Sequence, residues 1–376
     1  MKIVLVSIAP PFRGGISTHT KGIYNELKKN HDVRIFSFYY QYPSFFFPGK
    51  SQKIKNDDKF KNTEYSISTI NPFSWINTVR KILIVKPDLL IFTHWNPFVS
   101  FSLSFIARIL KSSIDSNRLV SICHNIKPHE NNLVDNALIK FYLKPFKRFM
   151  FMSSFVQKEL NLYKNKYKSI VRFLPIDINY ISTKNKSSIR LDMGFDAKNK
   201  IVLFFGLIRP YKGLDNLLNA IESFIINNTN SILIVAGEAY ENINKYKEIA
   251  KKYDSNNQII WINKFIHDKK IEELMLASDL LVLPYNSASQ SGILSQAWQY
   301  NLPAIVTNVG GLSEYVDENK SGYIVEPNDT VGLSAKIGHF FNSNDSLEMP
   351  KYIKLNKHKY SWGNYIEGIM GLVNES

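Results

Sequence analysis

Short runs of β-branched and aliphatic residues alternate along this chain with longer stretches of helical period. Ile3 to Ile8, Val33 to Phe38, Leu89 to Thr93, Leu119 to Cys123 and Phe149 to Met152 read as buried strands. The alternation predicts a parallel sheet wound on both faces, because parallel neighbours need crossover connections. After the polar stretch Ser182-Thr183-Lys184-Asn185-Lys186-Ser187-Ser188 the rhythm restarts, with strands expected at Ile201 to Phe205, Ile232 to Ala236, Ile259 to Ile262, Leu280 to Leu283 and Ala304 to Thr307. The expectation is an α/β protein of two doubly wound domains with a linker at that stretch. The last segment, Ser361-Trp362 through Ile366, Ile369, Met370 and Val373, has helical spacing with Ser361 as N-cap, and is expected to cross back onto the first domain.

At 376 residues the chain exceeds the size at which one hydrophobic core keeps growing, and a cleft between two domains is the default ligand site. Hydrophobic residues at 44% and charged residues at 21% exclude a disordered or fibrous chain. The single cysteine, Cys123, excludes an internal disulfide and a cage of thiolates around zinc, and fits a reducing, cytoplasmic setting. The apolar start runs into Pro10-Pro11-Phe12 too soon for a signal peptide and reads as a first strand. No apolar run approaches the roughly 20 residues of a membrane-spanning helix. A formal net charge of +15 favours anionic partners: nucleic acid, anionic lipid or phosphorylated small molecules.

Four segments are placed to carry chemistry. Arg13-Gly14-Gly15-Ile16-Ser17 follows the first strand and opens a helix, where glycines admit a ligand to the backbone and unpaired N–H groups face an anion; a plain strand-to-helix turn explains it equally well. Phe204-Phe205-Gly206-Leu207-Ile208-Arg209-Pro210-Tyr211-Lys212-Gly213 repeats the pattern with two cations. A guanidinium fork and an ammonium point charge suit a diphosphate. Their place at the carboxyl edge of a strand, where open α/β sheets bind ligands, argues against merely solvated cations. Pro284 to Ala297 offers backbone N–H groups around Ser291, Gly292 and Ile293 to a phosphate, with Gln296 one turn further on; an ordinary N-capped helix explains its serines but not the glycine in the first turn. Cys123-His124-Asn125-Ile126-Lys127-Pro128-His129-Glu130 ends a strand with a histidine able to donate to a substrate hydroxyl or shuttle a proton, or to serve as a structural hydrogen-bonder. No histidine or carboxylate pair has metal-site spacing, so no metal is expected.

In this order the four segments resemble the retaining glycosyltransferases of the GT-B fold, glycosyltransferase family four (glycosyl transferases group 1), over nearly the whole chain. The most specific stretch is Asp279-Leu280-Leu281-Val282-Leu283-Pro284, Ser291-Gly292 to Gln296-Ala297, Pro303-Ala304-Ile305-Val306-Thr307 and Val309-Gly310-Gly311-Leu312-Ser313-Glu314. The resemblance implies two Rossmann-like domains facing each other across a cleft. Residues 1–182 would be an acceptor-binding domain, 183–355 a nucleotide-sugar-binding domain, and 356–376 a helix packing back on the first. It implies that Arg209 and Lys212 hold the donor diphosphate, assisted by backbone at Gly15, Ser291, Gly292 and Ile293. Gln296 would face the ribose, residues near Phe265 the base, and His124 the transferred sugar, with Glu130 on the acceptor side. One departure stands out: the family has two glutamates flanking seven residues, and those positions here are Ala288 and Gln296. Gln290 or Ser289 is expected to take over part of the lost work.

The activity so implied is transfer, with retention, from a nucleotide-sugar substrate linked to UDP or GDP. The acceptor is a glycan or lipid-linked acceptor in cell-surface polysaccharide or glycolipid synthesis, and neither cofactor nor metal takes part. The alternatives are a noncatalytic nucleotide-binding partner subunit and a GT-B nucleotide-sugar epimerase; no nucleic-acid-binding motif accompanies the charge. Phe38 to Lys50 and Lys140 to Arg148 interleave cations with aromatics. They read either as docking patches for anionic lipid on the inner face of the cell membrane or as a solvated basic face over buried aromatics.

Overall fold

The computed structural model describes residues 1–42, 60–127 and 133–374. The chain divides into two compact units, Met1–Leu174 with Trp362–Ser376, and Pro175–Ser361.

The first unit is built on a seven-stranded sheet: β1 (Lys2–Val6), β2 (Asp32–Tyr40), β3 (Thr63–Ser68), β4 (Leu89–His94), β5 (Leu119–Cys123), β6 (Arg148–Phe151) and β7 (Lys168–Val171). Their order is β3-β2-β1-β4-β5-β6-β7, every pair parallel, so the winding reverses between β1 and β4. Every residue of β4, β5 and β6 is buried, as helices on both faces require. Successive side chains alternate between faces. Val4 and Val6 meet Trp75, Val79 and Ile82 of helix Pro72–Val85, Leu103 and Ile106 of helix Pro97–Leu110, and Tyr142 of helix Leu133–Leu143. Ile3 and Leu5 meet Ile23, Tyr24 and Leu27 of helix Gly15–Leu27 and Tyr365, Ile369 and Leu372 of helix Trp362–Asn374. The C-terminal helix thus returns to the first unit, as its apolar spacing predicts. Its Trp362 seats on Gly22, where a Cβ would come within 2.1 Å of the indole ring.

The second unit repeats the plan with β8 (Lys200–Phe205), β9 (Ser231–Ala236), β10 (Ile259–Ile262), β11 (Leu280–Leu283), β12 (Ala304–Thr307) and β13 (Gly322–Val325). These strands run parallel in the order β10-β9-β8-β11-β12-β13, reversing between β8 and β11. The polar stretch 182–188 lies within this unit and runs into helix Lys186–Asp192, capped by the Asn185 side chain on Ser188 N–H. Its Arg190, 4% exposed, donates to the carbonyls of Ala277, Ala197 and Asn199 and pairs with Asp279 at 2.7 Å; Lys186 pairs with the other Asp279 oxygen at 2.5 Å. Asp279 also accepts from Ile201 N–H at the start of β8, so these polar residues anchor a helix to the sheet.

β3, β7 and β13 lie outside the sequence expectation. All three are edge strands, and their Thr-Glu-Tyr-Ser, Lys-Ser and Gly-Tyr content breaks the apolar run by which a central strand is known.

Candidate functional site

At the carboxyl end of β8 the chain turns at Gly206, whose φ of 127° belongs to glycine. The backbone continues along its neighbour, with Ile208 N–H on Glu238 C=O and Tyr240 N–H on Ile208 C=O, until Arg209 in extended conformation precedes the one-turn 3-10 helix Pro210–Lys212. Gly213, with φ 64°, then starts helix Leu214–Asn227; a Cβ there would come within 1.9 Å of the Pro284 carbonyl oxygen. Asn286 N–H donates to Tyr211 C=O at 2.8 Å, so the Arg209–Lys212 turn is stitched to the segment leaving β11.

That segment leads into helix Gly292–Gln299, whose N-cap, Ser291, makes no side-chain capping bond. The first intrahelical backbone bond is Ser295 N–H to Ser291 C=O, so the N–H groups of Gly292, Ile293 and Leu294 have no intrahelical acceptor. Ile293 Cδ1 lies 2.5 Å from where a Cβ on Gly206 would be, which brings the second and third sequence segments into direct contact. The two strands at the switch in winding, β8 and β11, carry these turns, the place where open α/β sheets take ligands.

Arg209 lies with its guanidinium carbon 4.8 Å from the Tyr240 ring centre, and its Nε is shielded without a hydrogen-bond partner among the described residues. Lys212 Nζ stands 3.6 Å from the Tyr285 ring centre and 5.0 Å from that of Tyr211. Among the described residues no ion pair engages either cation. Burial first, and the Arg209 charge second, lower the Lys212 ammonium to about 7. Two cations without ion-pair partners among the described residues, beside helix N–H groups without intrahelical acceptors, have the chemistry to attract a multiply charged anion.

The remaining predicted residues of this unit are spread along the same edge. Gln290 is half-buried, with its Oε1 shielded and without a partner among the described residues. Gln296 is half-buried one turn into helix Gly292–Gln299. Ala288, 8% exposed, offers no polar atom from its side chain. Phe265 follows β10, two strands from β8, is 41% exposed and meets His267 edge-on at 5.2 Å.

Gly15 and His124 belong to the first unit. Gly14, with φ 111°, precedes helix Gly15–Leu27 without a side-chain cap, and a Cβ on Gly14 or Gly15 would meet open space. The first intrahelical bond is Thr18 N–H to Gly14 C=O, so this helix start also presents unpaired N–H groups. His124 follows β5, its N–H on the His94 carbonyl at the end of β4. Its Nε2 lies 3.2 Å from Nδ1 of His19, one turn into helix Gly15–Leu27, which joins the first and fourth sequence segments. Burial lowers His19 to about 3, and burial with the neighbouring His19 and His94 holds His124 well below the ordinary imidazole range. Both rings are neutral at physiological pH. His94 stacks on Tyr142 at 4.4 Å, shares a 2.6 Å hydrogen bond with Ser100, and is lowered by burial to about 4. Cys123 is fully buried, its thiol pushed up to about 12, which marks a core residue and not a nucleophile. Glu130 lies outside the described residues.

Reading the sequence segment by segment misses His19, His94 and Tyr240. His19 carried a signal: it is polar on the face of its helix that also buries Thr20, Ile23, Tyr24 and Leu27. Among the described residues no group of three or more His, Cys, Asp or Glu is placed to hold a metal ion.

Residues 185–359 match the glycosyl transferases group 1 family model, a span that contains every element of the site in the second unit. These residues carry a glycosyl transferases group 1 domain. The chain is 22% identical to an uncharacterized glycosyltransferase of Methanocaldococcus jannaschii over all of this chain and 98% of that one. It is also 22% identical to the D-inositol 3-phosphate glycosyltransferase of Acidothermus cellulolyticus over 50% of this chain and 43% of that one. The fold of Anabaena HepE, crystallised with UDP and glucose, matches over the full length of both chains with a TM-score of 0.78 at 16% identity. The chain therefore has the two-domain GT-B fold.

Of the two basic, aromatic segments, the structure decides the second. Tyr142 and Phe146 are fully buried and Phe141 stacks on Phe101, while Lys140, Lys144 and Lys147 are exposed: a basic face over a core, not an aromatic docking patch. In the first, Phe38 is buried and Tyr39 exposed, and Pro43 to Lys50 lie outside the described residues. Among the described residues no helix is long and apolar enough to cross a membrane.

Proposed function

We propose that this glycosyltransferase moves a sugar, with retention, from a UDP- or GDP-linked donor to a glycan or lipid-linked acceptor in cell-surface polysaccharide or glycolipid synthesis. The carrying observation is the convergence of Gly206, Arg209 and Lys212 with the uncapped helix start at Ser291, Gly292 and Ile293. Arg209 forks onto diphosphate oxygens, Lys212 adds a charge, and the three N–H groups complete the cradle. Charge that builds on the departing diphosphate is neutralised there by preorganised groups, with no call on a metal. The acceptor hydroxyl attacks C1 on the face the diphosphate leaves; the C1–oxygen bond to phosphate breaks as the new C1–oxygen bond forms, and the hydroxyl proton passes to the departing phosphate. Gln296 reads the ribose, Phe265 and its neighbours the base, and Gln290, whose buried oxygen lacks a partner, takes a sugar hydroxyl in place of the missing glutamate. His124 faces the transferred sugar, Gly15 assists the diphosphate and Glu130 serves the acceptor. A UDP-linked donor is supported by the UDP and glucose bound in the HepE crystal. The buried alanine at position 288 speaks against an epimerase, which needs acidic groups on the sugar ring.

Thermal denaturation with UDP, GDP, ADP and their sugar conjugates tests the donor site, since a ligand of the native state raises its melting temperature. A shift with one nucleotide that Arg209→Ala removes is expected; no shift with any of them would favour a noncatalytic subunit. A product of inverted anomeric configuration by NMR would refute retention.

A peripheral membrane contact belongs to the same reading. Helix Pro72–Val85 contains no carboxylate, and its outer side shows Phe73 (81% exposed), Ile76 and Ile84 (79%) around exposed Arg80. Apolar side chains interleaved with a cation suit an anionic lipid interface. The enzyme is expected to sediment with anionic but not zwitterionic vesicles, and Phe73→Ser with Ile84→Ser to abolish this; equal sedimentation of the double variant would rule the helix out.

A further inference from the structure

We propose that His19 is a positioning residue for His124: it occupies His124 Nε2 and leaves Nδ1 as the atom His124 presents to the transferred sugar. The inference rests on the sugar-facing reading of His124. The two rings meet edge-on, centroids 4.9 Å apart and planes at 90°, with His19 Nδ1 and His124 Nε2 at 3.2 Å. Two neutral imidazoles at that distance share one proton between those nitrogens. If His19 donates it, His124 carries its own proton on Nδ1 and donates to a hydroxyl; if His124 donates it, Nδ1 is an acceptor. Either way Nε2 is spoken for. His124 Nδ1 is shielded from solvent and has no partner among the described residues, the state of a polar atom that awaits one. Burial of both rings, with the mutual repulsion they would feel as cations, keeps the pair neutral, so His124 acts through a hydrogen bond and not as an imidazolium.

His19 is itself held. Trp362 stacks on its ring at 6.0 Å and 29°, and Tyr365 meets it edge-on at 5.1 Å. Gly22, less than a turn beyond His19, makes room for the Trp362 ring. The C-terminal helix therefore fixes the ring that orients His124, a connection across the whole length of the chain.

The test uses the full chain and the release of nucleotide from the donor sugar, water serving as acceptor. His19→Phe keeps the ring volume and removes Nδ1; His19→Asn restores a hydrogen-bonding atom near the same place. His19→Phe is expected to lower kcat on the order of tenfold to a hundredfold with nucleotide affinity unchanged, and His19→Asn to recover most of it. Imidazole ¹⁵N spectra are expected to show a single tautomer of His124 in the wild type and a mixture in His19→Phe. If His19→Phe matches the wild type while His124→Ala is inactive, the positioning role fails and the reading of His124 stands. If Phe and Asn are equally impaired, with an unchanged His124 spectrum, His19 is packing alone and the proposal falls. A fully active His124→Ala would overturn the reading beneath it.

Discussion

Ile293 fills the space in front of Gly206: its Cδ1 lies 2.5 Å from the point a Cβ on Gly206 would occupy. The glycine also sits at φ 127°, a backbone conformation that costs other residues about 1–3 kcal/mol. Gly206→Ala is therefore expected to lower stability by about that amount and to abolish the nucleotide-induced rise in melting temperature. Adding Ile293→Ala should relieve the clash but not the backbone strain. Full recovery by the double variant in a denaturant titration would show that strain contributes nothing.

Arg209 packs over Tyr240 and, in the proposed donor site, aims its fork at the diphosphate. Arg209→Lys keeps the charge and loses the fork, so its UDP affinity by calorimetry should fall by at least about tenfold, or roughly 1.4 kcal/mol. Equal affinity would mean that only charge matters at this position.

Lys212 gives the proposed donor site a pH dependence whose sign follows from its lowered value of about 7 in the free protein. A bound diphosphate favours the ammonium and raises its pKa above the free value. Affinity that depends on the charge is present below pH 7 and declines as pH rises through and beyond it, with proton uptake on binding. Calorimetry in two buffers of different ionisation enthalpy at pH 8 should detect that uptake, and Lys212→Met should eliminate it. Uptake that persists in the variant would assign the proton elsewhere.

Gly22 and Trp362 make a joint that can be tested without substrate. Gly22→Ala puts a Cβ within 2.1 Å of the indole and should destabilise the protein by about 1–3 kcal/mol through overpacking. Trp362→Leu in the same background is expected to restore part of the loss. Unchanged unfolding midpoints in urea would show that the helix yields freely.

The central strands were readable because burial on both faces demands unbroken apolar runs. β3, β7 and β13 were not, since Glu64, Lys168 and Gly322 interrupt such a run in these short strands. The stretch 182–188 looked like a linker because polarity alone cannot tell a solvated tether from a helix whose Lys186 and Arg190 converge on Asp279. The aromatics at 141, 142 and 146 could have faced lipid or core; packing against Phe101 and within the first core decided it.

The linear chain by itself determined the class of fold, the one restart of its strand-and-helix rhythm, and the glycine turns with cations at their edges. These are local properties: period, turn chemistry and charge travel with a short stretch of residues. Tertiary structure decided that Gly206 and Ile293 touch, that the Lys212 ammonium titrates near 7, and that His124 meets His19, 105 positions away. Desolvation and hydrogen bonding belong to the neighbours a residue acquires on folding, and here those neighbours come from distant segments whose spacing leaves no mark on the sequence around each residue.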